Sequence, residues 1–243
     1  MEAQLPQHVA HHLLIQNVVN PFKKLKMLFQ NIKELCDHLV TKFDTLSEER
    51  KTLLSNISKY IQTKQEHDAP VNLVYVCTHN SRRSHFGQVW AAVAASYYNI
   101  PDVTTFSGGT EATAFNPNAI NALISSGFEV TPETVGPNAH FTVRFGNNKT
   151  TTCFSKVYDD EVNPKANFAA IMTCSDAEEN CPFIPGVELR IGTTYDDPKA
   201  FDGTPQQEEK YLERSNQIAL ECLYVFSQVQ YLQHDFPLRN VEN

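Results

Sequence analysis

The sequence predicts an α/β protein, an open parallel sheet flanked by helices, with a helical extension at its N-terminus. Three observations lead there. From Val71 onward, short apolar runs of strand length alternate with amphipathic helical patterns, and strands separated by helices pair in parallel. Before that point the apolar residues recur only at helical spacing. Between the two regions lies Thr63-Lys64-Gln65-Glu66-His67-Asp68-Ala69-Pro70, a polar stretch without apolar periodicity that ends on proline and reads as a linker.

The chain has 243 residues, 41% of them hydrophobic, enough for one core of ordinary domain size with material to spare. Residues 1–70 are therefore expected to be a helical extension and linker, and residues 71–243 a catalytic domain. In the extension Phe29, Ile32, Leu35, Cys36, Leu39, Val40 and Phe43 step by three and four, as do Leu46, Leu53, Leu54, Ile57, Tyr60 and Ile61. This spacing predicts two amphipathic helices. Thr45 and Glu48 have capping-box spacing ahead of the second. A helix pair cannot bury its apolar stripes alone, so it must pack on the domain, on a second copy or on a partner.

In the domain, residues 73–76 read as the first strand and 83–98 as the first helix, with Phe86, Val89, Trp90, Val93 and Tyr97 on one face. Residues 103–106 read as a second strand. Pro117 suits the first turn of a helix, which Gly127 can close in the left-handed conformation. Residues 141–145 and 151–157 alternate around Gly146-Asn147-Asn148 and predict a β-hairpin. Residues 168–173 form a buried strand that carries Cys174 at its end. Thr204, Pro205 and Gln207 combine an N-cap, an N1 proline and a capping-box glutamine, opening a last long helix towards Gln233.

The chemistry centres on Cys77-Thr78-His79-Asn80-Ser81-Arg82-Arg83-Ser84, where an apolar strand ends in a thiol and an arginine follows six positions later. A strand feeding a tight loop and then a helix aims backbone N–H groups and the positive end of the helix dipole at one spot. Such a spot favours the thiolate, the nucleophilic form of cysteine. Thr78, His79, Asn80, Ser81, Arg82, Arg83 and Ser84 are the candidate oxyanion-binding residues. The planar guanidinium of Arg83 can hold two oxygens of a phosphate or arsenate, and Ser84 can hydrogen-bond the sulfur as it leaves. In an open parallel sheet, functional loops gather at the carboxyl ends of the strands, which is where this loop falls.

These residues resemble the low-molecular-weight tyrosine phosphatase fold and its relatives, the thioredoxin-coupled arsenate reductases. Thr173-Cys174-Ser175-Asp176-Ala177-Glu178-Glu179-Asn180-Cys181-Pro182 is similar to the redox segment of those reductases, with two cysteines at the same spacing. Tyr195-Asp196-Asp197-Pro198 resembles the loop that supplies the general acid in both branches. Ser107-Gly108-Gly109-Thr110-Glu111-Ala112 and Asn116-Pro117-Asn118-Ala119 resemble the strand, loop and helix that follow the first helix. The similarity spans about residues 71–233.

What the resemblance implies is an arsenate reductase in which Cys77 attacks arsenate, Cys174 attacks the Cys77 adduct and releases arsenite, and Cys181 attacks Cys174, leaving a disulfide for a thioredoxin-like reductant. The alternative is a phosphatase that forms a phosphocysteine on Cys77, with Asp197 protonating the leaving oxygen and then activating water. Asp196 reads as a hydrogen-bonding loop residue, and the sequence alone leaves either aspartate open as the acid. His79 and Arg82 depart from the family pattern, which commonly has glycine and a small residue or cysteine there, and together they suit a bulkier phosphorylated substrate. Gln88 stands where the reductases carry an acidic residue that helps organise a potassium site.

A net charge of −8 argues against nucleic acid as a partner, though a pocket of N–H groups and arginines can be locally positive on an acidic protein. The first residues lack a basic flank followed by an apolar core, and no stretch has the length to span a bilayer, so no membrane contact and a cytoplasmic location are expected. Among the six cysteines, Cys36, Cys153 and Cys222 read as packing residues. His8, His11 and His12 lack matching ligands, and neither metal nor cofactor is expected. The N-terminal helices leave room for a homo-oligomer or partner contact.

Overall fold

The computed structural model describes residues 28–180 and 183–229. Helices α1 (Gln30–Val40) and α2 (Glu48–Glu66) precede β1 (Val71–Cys77), α3 (Arg83–Tyr97), β2 (Val103–Gly109) and α4 (Pro117–Ser125). Then come β3 (Glu129–Pro132), β4 (Phe141–Gly146), β5 (Lys149–Cys153), β6 (Phe168–Met172), α5 (Ser175–Asn180), β7 (Val187–Gly192) and α6 (Gln207–Ser227). The main sheet has the order β2-β1-β6-β7 with every pair parallel, so the expected open parallel sheet flanked by helices is the observed one. A separate antiparallel sheet runs β3-β4-β5 and contains the expected hairpin.

The twofold alternation of the central strands divides the interior. Leu73 and Tyr75 on β1, with Ala169 and Ile171 on β6, face a large core shared with α1, α2, α3, α4 and α6. Val74, Val76, Ala170 and Met172 point the other way, into a smaller core with Phe168, Ala177 and Ile184 that also holds Cys77 and Cys174. Gly87 lets α3 approach β1 closely, since a Cβ there would lie 2.2 Å from the ring of Tyr75.

The chain passes from β1 through α3 to β2 on one side, then returns to place β6 on the other. Between β1 and β6 the direction of winding reverses, and the crevice outside the carboxyl ends of those strands is where such sheets bind ligands. Cys77 closes β1 and Cys174 follows β6 by two residues, so the topology brings both thiols to this crevice.

The N-terminal helices dock on the same molecule. Ile32, Cys36, Leu39, Leu54, Ile57 and Ile61 are buried members of the large core, and both helices pack on α6. Ser58 Oγ, itself buried, donates to the Val225 carbonyl at 2.9 Å.

Several local expectations need correction. Helix α2 is capped by Ser47, whose Oγ accepts from Arg50 N at 3.1 Å. Thr45 sits in a preceding 3₁₀ turn and spends its hydroxyl on the Lys42 carbonyl. The stretch read as a linker is helical as far as Glu66. Polar tertiary contacts, which apolar periodicity does not count, hold it there: Lys64 pairs with Glu188 at 2.6 Å and Gln65 Nε2 donates to the Pro101 carbonyl at 3.0 Å. The last helix starts at Gln207, behind a turn in which Thr204 Oγ1 donates to the Phe201 carbonyl and accepts from Gln206 N, and Gln207 Oε1 accepts from Gly203 N. It ends at Ser227, and Gln233 lies outside the described residues. Strands β3 and β7 were not anticipated; both are edge strands with exposed charged residues, which weakens the strand pattern. Pro117 opens α4 and Gly127 ends it at φ +98°, as expected, and Asn116, ahead of the proline, caps the helix.

Candidate active site

The loop of residues 77–83 is held from outside by its carbonyl groups. Thr110 N donates to Cys77 O and Glu111 N to Thr78 O. The hydroxyls of Thr113 and Ser155 donate to His79 O, and Asn116 N donates to Ser81 O. A trans peptide points each C=O and the following N–H in opposite directions. The N–H groups of Thr78, His79, Asn80 and Arg82 are therefore turned to the inner side of the loop, a concave set of donors suited to an anion.

Two backbone features let the loop close this tightly. Asn80 adopts the left-handed region at φ +43°, and its side chain ties the loop together: Nδ2 donates to Ser84 Oγ at 2.8 Å and Oδ1 accepts from Lys156 N at 2.9 Å. Gly109 lies against the outside of the loop, where a Cβ would come within 2.7 Å of Asn80 N and Thr78 O. The tie to Lys156 and the contact with Gly109 leave no local pattern, because those partners are distant in sequence.

Cys77 is 4% exposed, and its Sγ lies 3.1 Å from Ser84 Oγ. Arg83 Nη1 donates to the Tyr195 carbonyl at 2.7 Å and Nη2 to Asp197 Oδ2 at 2.8 Å. Its Nε is buried with no partner among the described residues. A buried guanidinium N–H left unpaired is costly, and an oxyanion would satisfy it. Arg82 Nε donates to Tyr211 OH at 2.9 Å, and its Nη1 is 3.8 Å from Asp197 Oδ2. Both arginines thus converge on Asp197. His79 stays on the rim, 3.7 Å from Glu111, an exposed pair of little energetic weight.

Asp197 also caps the 3₁₀ turn Pro198–Phe201, its Oδ1 accepting from Lys199 N at 3.1 Å. Asp196 has a side chain that is 98% exposed and reaches only Arg214, at 3.6 Å. The two aspartates therefore face different ways, and Asp197 is the one directed at the loop.

Cys174 is buried beside the loop. Its Sγ lies 3.4 Å from Thr78 Oγ1, and it accepts from Ala177 N at 3.4 Å. Thr78 Oγ1 donates to Asp176 Oδ2 at 2.6 Å, joining the start of α5 to the residue next to Cys77. Cys181 and Pro182 lie outside the described residues, as do His8, His11 and His12. Cys36, Cys153 and Cys222 are buried, and burial pushes each of their thiols up to about 12, which makes them poor nucleophiles.

Behind the loop, His85 is fully buried with Nδ1 3.1 Å from Ser107 Oγ. Burial, aided by the ammonium of Lys156, holds it well below the usual imidazole range, so it is neutral. Gln88 donates to Thr151 Oγ1 and to the Thr152 carbonyl, and accepts from Ser107 Oγ at 2.7 Å. The Gln88 amide is thus engaged at both ends. Among the described residues no group of three or more potential metal ligands occurs.

No family model matches the chain. An arsenate reductase of Bacillus licheniformis is 26% identical over 143 residues, which span 58% of this chain and 84% of that protein. An arsenate reductase of Staphylococcus aureus strain Newman is 27% identical over 150 residues, spanning 61% of this chain and 92% of that protein. Among solved structures, a YwlE mutant from Bacillus subtilis aligns over 65% of this chain and 97% of its own, with a TM-score of 0.46 and 14% identity. An arsenate reductase from Archaeoglobus fulgidus aligns over 64% and 98%, with a TM-score of 0.44 and 16% identity. Around the strand, loop and helix that carry Cys77, the chain is thus similar in sequence to arsenate reductases over about three fifths of its length.

Proposed function

We propose that the protein reduces arsenate by thiol chemistry in the Cys77 loop, with a thioredoxin-like dithiol as the final electron donor. The observation that carries this reading is the burial of Cys174 against Thr78, in the same small core as Cys77. Phosphate-ester hydrolysis uses no second thiol in its bond-making steps; there Cys174 and Cys181 would serve only to protect Cys77 from over-oxidation. The matched relatives named as arsenate reductases support the same choice.

The Cys77 thiolate displaces one oxygen of arsenate, forming an S–As(V) bond; the oxygen leaves as water after taking a proton from Asp197. Cys174 then attacks the Cys77 sulfur. A Cys77–Cys174 disulfide forms, the S–As bond breaks, and its electron pair stays on arsenic, which departs as arsenite. Two thiols are oxidised by two electrons and arsenate is reduced by two. Cys181 attacks Cys174, frees Cys77 and leaves a Cys174–Cys181 disulfide for the external dithiol. The oxyanion is held by the inward N–H groups and by Arg83, including its unpaired Nε. In this reading every group that touches the oxyanion lies after residue 71.

The second reading, a phosphatase, is favoured by one contact, the placement of Asp197 against Arg83 at 2.8 Å. There Cys77 forms a phosphocysteine, and Asp197 protonates the ester oxygen and then activates water. Mass mapping of disulfides after a single arsenate turnover separates the two. The expected result is Cys174 linked to Cys181 in the unaltered protein and Cys77 linked to Cys174 in Cys181→Ser. No arsenate-dependent disulfide, alongside rapid aryl phosphate hydrolysis, would promote the phosphatase.

The acid assignment has its own check. Asp197→Asn is expected to slow hydrolysis of an aryl phosphate by roughly 10²- to 10⁴-fold, the scale of a positioned proton donor. Asp196→Asn, at a side chain turned to solvent, should leave the rate within about twofold. The reverse pattern would reassign the acid.

A further inference from the structure

The N-terminal helices reach the active-site loop through a buried ion pair. On α2, Arg50 forms a two-point contact with Glu221 of α6, Nε to Oε1 at 3.0 Å and Nη2 to Oε2 at 2.7 Å. Glu221 is 2% exposed, so its carboxylate depends on these donors and on Tyr195, whose OH donates to Oε2 at 2.7 Å. The Arg50 guanidinium also lies 5.1 Å from the centroid of the Tyr195 ring. Tyr195 is itself buried and opens the segment that carries Asp197. Its carbonyl accepts from Arg83 Nη1 at 2.7 Å, while Arg83 Nη2 holds Asp197.

The ring of Tyr195 is thus fixed by Arg50 and Glu221, and its backbone is fixed to Arg83. Two residues later in the chain, Asp197 closes the circuit on the same guanidinium. The position of both the oxyanion clamp and the proton donor follows from one tyrosine, and that tyrosine is anchored by an arginine outside the catalytic elements.

We propose that Arg50, acting through Glu221 and Tyr195, is a positioning residue for Asp197, which makes the N-terminal helix pair a working part of the catalytic apparatus. The proposal rests on the reading of Asp197 as proton donor. It does not depend on the choice between arsenate and ester, since both use that loop. A carboxyl misplaced by about an ångström loses much of its value as an acid, and the loss is largest where the leaving group most needs a proton.

The test compares two aryl phosphates, phenyl phosphate with a poor leaving group and p-nitrophenyl phosphate with a good one. Arg50→Met should lower kcat on phenyl phosphate by roughly 10- to 100-fold and on p-nitrophenyl phosphate by clearly less. Arg50→Lys, which keeps the charge and loses the two-point contact, should fall between. In an Asp197→Asn background the Arg50→Met change should add at most about twofold, because its effect passes through the aspartate. Leu54→Ala destabilises the same helix from its buried face and should leave the ratio of the two substrates unchanged.

Hydrogen exchange of residues 193–201 gives a readout that does not depend on activity, and it should quicken in Arg50→Met and not in Leu54→Ala. Equal losses on both substrates, matching those of Leu54→Ala, would overturn the proposal, and so would unchanged exchange in this segment. In a wild-type protein that hydrolyses neither ester, the acid role of Asp197 is read on arsenate, where Arg50→Met should lower kcat more than Leu54→Ala does. Exchange decides the anchoring there too, quickening supporting it and constancy refuting it.

Discussion

Cys77→Ser is expected to lose turnover on arsenate and on aryl phosphates alike, by on the order of 10⁴-fold or more, the scale seen when a nucleophile that acts with its partners as a unit is removed. The reason lies in the geometry of the loop. Cys77 sits at the end of β1, its sulfur 3.1 Å from Ser84 Oγ, inside the turn whose N–H groups face inward. A serine hydroxyl would occupy the same place but remains protonated at neutral pH, and no base stands beside it: His85 is turned to Ser107, is neutral and lies behind the loop. The substitution removes one atom's chemistry without opening a cavity, so Tm should shift by no more than a few degrees. Phosphate should still protect the variant against heat, since its donors are intact. Steady-state assays on both substrates, with thermal unfolding in and out of phosphate, check this. Retention of even a tenth of the activity would remove Cys77 from the mechanism.

Removal of residues 1–69 is expected to cost the protein its stable fold. Ile32, Leu39, Leu46, Leu54, Ile57 and Ile61 are all buried in the core that α6 shares. Burying an aliphatic side chain contributes about 1.5–3 kcal/mol. The set therefore stands for on the order of 10 kcal/mol, which is comparable with the whole stability of an ordinary domain. The truncation also takes away Arg50, the ion-pair partner of Glu221 on α6. The truncated chain should show no cooperative thermal transition and should bind a hydrophobic dye, as a loosely packed state does. A sharp transition near that of the full chain would mean that α6 and the sheet close over the lost surface by themselves.

Much of the candidate site is legible in the sequence, because its residues are contiguous. The strand that ends in Cys77, the loop to Arg83 and the start of α3 lie within about fifteen residues, and a strand, a tight loop and a helix leave one way to arrange their donors. The same holds for Pro117 at the start of α4, and for Gly127 at its end, where a single residue type meets a single backbone need. Capping of α2 and α6 was read less well. Thr45 and Thr204 have the right spacing, yet each hydroxyl closes a turn on the carbonyl three residues before it, and a spacing rule cannot tell which of two nearby bonds a hydroxyl will make.

The sheet order, the route of the N-terminal helices and the pairing of Arg83 with Asp197 depended on distance in space. Arg82 meets Tyr211 across 129 positions and Arg50 meets Glu221 across 171. No local periodicity records such pairs, because they form only when the core brings α2, α6 and the loop after β7 together. What was written in the chain is the strand, loop and helix around Cys77 and Arg83. The placement of Asp197 against Arg83, and the contact of Arg50 with Glu221, follow from packing: buried charges such as Glu221 must find partners wherever the fold supplies them.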